Sequence, residues 1–574
     1  MLPSFRRWSS VVALALAGLS ACKTDSSTGV TPITAPTNVQ ATASATAVQV
    51  TWDSVTVATG YLIQRSIGGG AYVAIAATAD TSYTDVTVQP STQYSYRVAS
   101  SDGAQISDFS DPASTTTLSI GPKQVIFTGH ITANRALNAD TTYVLSGFVK
   151  VDSGVTMTIP AGTHVVGDTL VPGSSLWILR GGVLNAVGTA ANPIVFTSQR
   201  SAGNRAPGDW GGIVIVGEGR VNRSVGGGAT TVATRGPASA AVNYAGGGDS
   251  TFDSGSLRYV RIEFAGYSEL PDQGLAALSS YAVGSGTRYE YVQAMQSAND
   301  AFAFFGGSVE MRFLVSYDAG DDHFDWTEGF RGRGQFLIGY QSQQVVPRPG
   351  TGTASTDPRG FEGDGCELGT SGCASYFTAP YSMPVWANFT LVGPGAGVTM
   401  SGVSDNNGAV LRRGTGGSFV NGVIARWQGI GWNVRDFATD SLRRVDSLSA
   451  AALVLAENGA GDFDAADACT ASGDGGSCGT AANFPGITAT AQSASSLFAA
   501  LPSSGSTPST GVIDWTPALG GPLATGGTTS PPGRIGNRMQ SFFGGNPMPL
   551  TSYVGAAPPG GPRWWEGWTN YARN

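Results

Sequence analysis

The sequence predicts an all-β protein, a β-sandwich followed by a parallel β-solenoid with long loops, and three observations carry that prediction. Gly supplies 81 of 574 residues, only 13% are charged, and runs of helix-favouring Lys, Glu and Leu are scarce. That is a turn-rich, strand-rich composition. Short runs over 36–118 alternate apolar and polar residues with the period of half-buried strands. From 125 onward short apolar strands recur with Gly, Asn or Asp at their ends, and one segment repeats itself 22 residues later. The length exceeds one ordinary domain, so at least two are expected.

The first residues read as an export signal. Arg6 and Arg7 precede an apolar run from Val11 to Leu19, and Leu19-Ser20-Ala21 leads into Cys22. That run is about half the roughly 20 residues of a membrane-spanning helix, which excludes a spanning segment. A cysteine directly after small residues resembles the bacterial lipobox. The resemblance implies a signal over 1–21 and a diacylglycerylated Cys22 as the mature N-terminus, with the membrane as partner through that lipid. Residues 22–35, rich in Ser, Thr and Pro, then read as a lipidated tether. Lys23 rather than Asp follows the cysteine. In well-studied Gram-negative sorting that implies the outer membrane, with the domains on its periplasmic or cell-surface side.

Without Cys22 the five cysteines reduce to two close pairs, Cys366 with Cys373 and Cys469 with Cys478, each bracketing a Gly/Ser-rich loop. Local disulfides in an oxidising compartment are expected. Zinc is the rival reading, and it favours tighter spacing or histidine ligands, whereas the chain has three His in all. The net charge is −8, becoming −10 once Arg6 and Arg7 leave. With no basic cluster, nucleic acid is not an expected partner.

Within 36–118, the runs Ala47–Trp52, Gly60–Arg65, Ser82–Asp85 and Tyr94–Val98 are separated by turn residues at the spacing of a β-sandwich. Pro36 near the entry, Trp52 closing the second strand, Tyr61 opening the third, and Tyr94 with Tyr96 late in the segment resemble the fibronectin type III family. That resemblance implies a spacer or binding module.

Further on, Asn299-Asp300-Ala301-Phe302-Ala303-Phe304 aligns with Asp321-Asp322-His323-Phe324-Asp325-Trp326, and Tyr289–Gln293 stays in phase with Met311–Val315. A period near 22 is one coil of a solenoid whose coils bury their inner faces only by stacking. The pattern resembles right-handed parallel β-helix proteins over most of 125–574. The segment from Gly286 to Gln335, with Tyr553–Ala556 and Trp565–Asn570, resembles a family of bacterial β-helix lipoproteins. Past residue 345 long loops blur the period, and coils are expected to resume at Val385–Val392 and Gly417–Ile424. The tail with Trp564, Trp565 and Trp568 is expected to cap the last open coil.

The densest acidic stretch, Asp318 to Asp325, lies one coil after Asn299-Asp300. Stacking should bring Asp300 within about 4.8 Å of Asp321 or Asp322. Carboxylates that close push one pKa upward and suit acid–base work on a glycosidic bond. The same Asn-Asp and Asp-Asp spacing resembles polygalacturonase-type glycoside hydrolases, which implies a catalytic cluster of Asp300, Asp321 and Asp322. The Gly-His-Gly and Arg-x-Lys of that family do not occur here. Asp318, Asp321, Asp322 and Asp325 also offer hard oxygens for a structural Ca²⁺. The plainest alternative makes these residues coil corners whose side chains bond backbone N–H groups. Trp326 and Trp386 are candidate stacking platforms for sugar rings.

With few convergent titratable groups, the leading expectation is a non-catalytic exported lipoprotein without a cofactor. Its solenoid would present a face to a polysaccharide or a cell-surface protein. The alternative is a polysaccharide hydrolase or lyase using Asp300, Asp321 and Asp322.

Overall fold

A computed structural model of the chain describes residues 33–43, 47–89, 91–117, 123–223, 232–245, 247–269, 273–367, 373–466, 469, 477–504 and 513–573. The expected signal, Cys22 and the tether up to residue 32 lie outside the described residues. The chain divides into two compact units, Met1–Gly121 and Pro122–Asn574.

The first unit is the expected fibronectin-type sandwich. Gln40–Ala43, Val48–Thr51 and Ser82–Asp85 form one antiparallel sheet. Val73–Thr78, Gly60–Ile67, Gln93–Ser101 and Ala113–Thr116 form the other. Alternate residues of each strand share a face, so Val48, Val50, Ile63, Tyr96 and Val98 meet around Trp52 in the core. The Tyr94 hydroxyl accepts the Gln89 N–H at 2.7 Å, and buried Asp85 accepts from Arg65 at 2.7 Å and from the Tyr96 hydroxyl at 2.9 Å.

The second unit is a parallel β-helix with three faces per coil. Two faces belong to one 17-stranded sheet and the third to an 11-stranded sheet. In the middle coils a single strand runs through both of the first two faces, as in Gly255–Glu263, Arg288–Ser297, Glu310–Ala319, Arg333–Tyr340 and Val385–Val392. Each has a non-glycine residue with positive φ at its bend: Tyr259 at 49°, Tyr291 at 55°, Phe313 at 61°, Phe336 at 60° and Asn388 at 51°. Such residues are uncommon because Cβ crowds the backbone. Here the strain recurs in register and is offset by stacking. The four rings lie 4.3, 4.5 and 5.0 Å apart in succession, and the Asn388 amide donates to the Gly555 carbonyl at 3.2 Å.

The third face stacks Leu278–Tyr281, Phe302–Phe305, Phe324–Thr327, Phe361–Asp364 and Ala409–Arg412. The 22-residue period is real: Tyr289 pairs with Met311 and Phe302 with Phe324. The inner side is a column of rings, with Phe302 and Phe324 stacked at 5.3 Å. Gly363 sits in that column because a Cβ there would lie 2.3 Å from the Trp326 ring.

Two expectations are corrected. Trp326 and Trp386 are fully buried and present no platform to a ligand. Trp326 follows Phe324 by two residues and therefore points inward with it. Trp386 lies among Phe304, Phe324, Trp326, Phe330 and Phe361, with ring centres 5.6–6.2 Å away. The C-terminal tryptophans do not cap the last coil either. Trp568 meets Tyr259 and Tyr291 edge-on at 5.8 and 6.1 Å, and Trp565 joins a cluster with Val315 and Ile338. The apolar outer side of the second face thus draws the tail back along the middle coils.

The last coil is closed by the second disulfide instead. Cys469 and Cys478 are bonded, as are Cys366 and Cys373, which removes the zinc reading. Ser477–Cys478 pairs antiparallel with Val434–Arg435, and Phe484 packs on Trp432 at 5.6 Å. Among the described residues, no helix is long and apolar enough to cross a membrane. From the burial of Trp386, a Trp386→Ala variant should lose about 3–5 kcal/mol of stability. Urea unfolding measures it, and an unchanged midpoint would contradict an interior site.

Candidate functional site

Strand alternation that turns Phe302, Phe304, Phe324, Trp326 and Phe361 inward turns Asp325, Thr327, Glu362, Asp364 and Arg412 outward. The outer side of the third face is therefore polar. Described loop segments lie on both of its edges, 341–360 before the strand Phe361–Asp364, and 217–223, 232–245 and 373–384 after third-face strands. Together they enclose a cleft of about 880 Å³. Arg223, Arg235, Arg359, Arg412 and Arg413 line it, with seven carboxylate residues.

Most of these charges are matched in place. Arg223 and the Tyr244 hydroxyl hold Glu328 at 2.8 and 2.5 Å. Arg412 binds Glu362 at 2.7 Å and Asp364 at 3.0 Å, and Arg413 binds Asp364 at 2.7 Å. Arg359, itself buried, pairs with Glu362 and with Asp357. Arg235 differs. Its backbone N–H donates to the Tyr281 hydroxyl at 3.0 Å and its guanidinium lies 5.0 Å above the Phe305 ring. Among the described residues no carboxylate comes within ion-pair distance of it.

The register brings the sequence-predicted acids together. Asp300 falls beside Asp322 and Asn299 beside Asp321, in the turn leading into paired strands. Oxygens of Asp300, Asp321 and Asp322 lie within 4.8 Å of one another, close enough to share one cation. Two of them also serve the backbone: Asp300 accepts the Asp322 N–H at 3.2 Å and Asp322 accepts the Arg359 N–H at 2.8 Å. Asn407 does the same for Ile430 at 2.6 Å further along. This is the corner ladder that Asn and Asp favour. Asp321 is the member that reaches the cleft, accepting from the Ser355 hydroxyl at 2.7 Å.

The four acids expected to bind calcium do not assemble as a set. Asp318 is turned to the tail side, where it accepts from Ser342 at 2.7 Å, Gln296 at 2.9 Å and Arg573 at 3.1 Å. Asp325 points out from the middle of its strand. His323 belongs to the interior, with Nδ1 2.6 Å from the Ser316 hydroxyl, and burial pushes its imidazole down to about 3.

Electrostatics separates the carboxyls of the cleft. Burial pushes Asp300 up to about 6, against the pull of Arg235. Burial, then neighbouring acids, raises Asp321, Asp322 and Asp325 well above the usual carboxylate range. Glu362 goes the other way. Burial acts to raise it, but Arg412, Arg359 and Arg413 together hold it down at about 2.

Glu362, Arg235 and Arg412 were not singled out from sequence. The insertion 341–360 hides the phase of Phe361-Glu362-Gly363-Asp364. Reading that tetrapeptide as an alternating strand after Phe324–Thr327 would have exposed Glu362.

Asp300 gives a signed pH effect. Its proton is held more tightly in the folded state than in the unfolded chain, where a carboxyl titrates near 3.9. Its stabilising contribution is thus complete below about pH 4 and is lost as pH rises through about 6. Asp300→Asn should match the parent at pH 4 and exceed it at pH 7, by up to about 2–3 kcal/mol. Urea unfolding at the two pH values checks this, and a pH-independent difference would contradict it.

No curated protein matches the chain in sequence. Solved structures that resemble it include FN3tt, at 22% identity over 16% of this chain and 98% of that one, TM-score 0.15. An Fn3-like protein from Clostridium thermocellum matches at 26% over 16% and 98%, TM-score 0.14. A beta-1,2-glucanase from Parabacteroides distasonis matches at 26% over 16% and 14%, TM-score 0.15. At such TM-scores these likenesses carry no functional argument. One family model, the pectate-lyase like beta helix domain, matches residues 129–475, more than half of the chain. The chain belongs to the family of pectate-lyase-like β-helix domains.

Proposed function

We propose that this is an exported, lipid-anchored protein that binds an anionic polysaccharide in the cleft over the third face of its β-helix. The carrying observation is the charge pattern of that cleft. Its other arginines are spent on fixed carboxylates, while Arg235 lies over Phe305 without an acidic partner among the described residues. Burial and neighbouring acids raise Asp321 and Asp325 well above the usual carboxylate range, which favours their neutral forms. A guanidinium over a ring suits a sugar carboxylate or sulfate, because it can form two parallel hydrogen bonds to such a group.

Membership in the pectate-lyase-like family fits a polysaccharide ligand. Two disulfides fit an oxidising compartment, and the lipobox-like Leu19-Ser20-Ala21-Cys22 supplies the proposed anchor. Calorimetric titration of the full chain with polygalacturonate, alginate and neutral xylan tests the reading. An acidic polymer should bind more tightly than xylan, and Arg235→Ala should weaken binding about tenfold or more at an unchanged melting temperature. Equal affinity for neutral and acidic chains would contradict it. The anchor is tested separately: Cys22→Ser should abolish incorporation of labelled palmitate and release the protein from membranes, and retained label would contradict lipidation at Cys22.

A further inference from the structure

We propose that Asp325 and Glu362, stacked as register partners on the floor of the cleft, cleave a glycosidic bond of the bound polysaccharide with retention of configuration, Asp325 as acid–base and Glu362 as nucleophile. The inference rests on the saccharide-binding reading of the cleft. Three features of the two side chains carry it.

First, Asp325 pairs with Glu362 across adjacent parallel strands, so their Cα atoms are one strand spacing apart, about 4.8 Å. Carboxyls set about 5–5.5 Å apart suit double displacement, whereas inversion needs roughly 6.5–9.5 Å to admit a water between them. Second, Asp325 is only 3% exposed and yet lines the cleft. Among the described residues no hydrogen bond or ion pair reaches its carboxyl. A buried polar group without a partner is costly, and a ligand oxygen would supply one. Third, Arg359 and Arg412 both bind Oε1 of Glu362, which fixes the side chain as a carboxylate. Burial raises Asp325 while the arginines hold Glu362 at about 2, the division of labour that an acid and a nucleophile need.

The corner acids are less suited. Asp300 and Asp322 spend oxygens on backbone N–H groups, whereas Asp325 and Glu362 make no such bond among the described residues.

The chemistry balances with water alone. Asp325 gives its proton to the glycosidic oxygen as the C1–O bond breaks, and a Glu362 oxygen forms an ester bond to C1. Water then attacks C1, the ester bond breaks, and the water's proton returns to Asp325. The sum is one water added across one glycosidic bond.

The test uses the full chain with polygalacturonate, alginate, xylan and a mixed-linkage β-glucan as probes. Binding is read by calorimetry, new reducing ends by colorimetry, and the first-formed anomer by proton NMR. At least one bound polymer should be cut with retention. Asp325→Asn and Glu362→Gln should each lower turnover by about 100-fold or more while keeping the fold and polysaccharide binding. Binding without cleavage, cleavage with inversion, or turnover that survives both substitutions but fails in Asp321→Asn would overturn the pair and leave the binding cleft standing. If no probe binds, the cleft reading itself fails and the pair with it.

Discussion

The register of the parallel ladder is the constraint from which the rest of the β-helix follows. Once Phe302 pairs with Phe324 and Phe324 with Phe361, every inward and outward side chain of the third face is determined. A slip of one residue would drive Asp325 and Glu362 into the ring column and expel Phe324 and Trp326. The elbows enforce that register. Tyr259, Tyr291, Phe313 and Phe336 each occupy a left-handed conformation at the same point of successive coils, and their stack is lost unless neighbouring coils align. Local strain thus becomes a positional marker.

The outer sides of the faces have different fates for the same reason. The second face carries Val315, Tyr317, Ile338 and Tyr340 outward, and the C-terminal segment covers them with Val554, Trp565, Trp568 and Tyr571. The third face carries acids and arginines outward, and loops rise along its edges instead of lying across it. Its fixed ion pairs cost desolvation. Arginines that already hold Glu362 and Asp364 in place are preorganised, so binding would not have to order them. What a ligand meets is a polar floor with one cation, Arg235, and one acid, Asp325, that make no ion pair among the described residues.

Much of this architecture was legible in the sequence. Alternation at Val48–Val50 and Tyr94–Val98 gave the sandwich, the 22-residue echo of Asn299–Phe304 gave the coil, and the two cysteine pairs gave the disulfides. The stacking of Asp300 with Asp322 also followed from the period. What escaped was orientation within the coil. Counting acids in 318–325 grouped Asp318 with Asp325, although a corner and a strand separate them and turn them to different sides. Trp326 looked like a platform because its alternation with Phe324 was not applied. Glu362 lies 37 residues after Asp325 rather than 22, since an inserted loop interrupts the count, and no local pattern restores it. The arginine partners come from loops and from later coils, a tertiary relation that spacing does not encode.

Both proposals require the saccharide to lie along the third face. The most direct measurement is a crystal structure of the full chain soaked with an oligosaccharide of an acidic polymer it binds. A chain of sugar rings crossing the Asp325–Glu362 rung, with an anionic group on Arg235, is the predicted result. Sugar density confined to another face of the β-helix, or to the N-terminal sandwich, would contradict it.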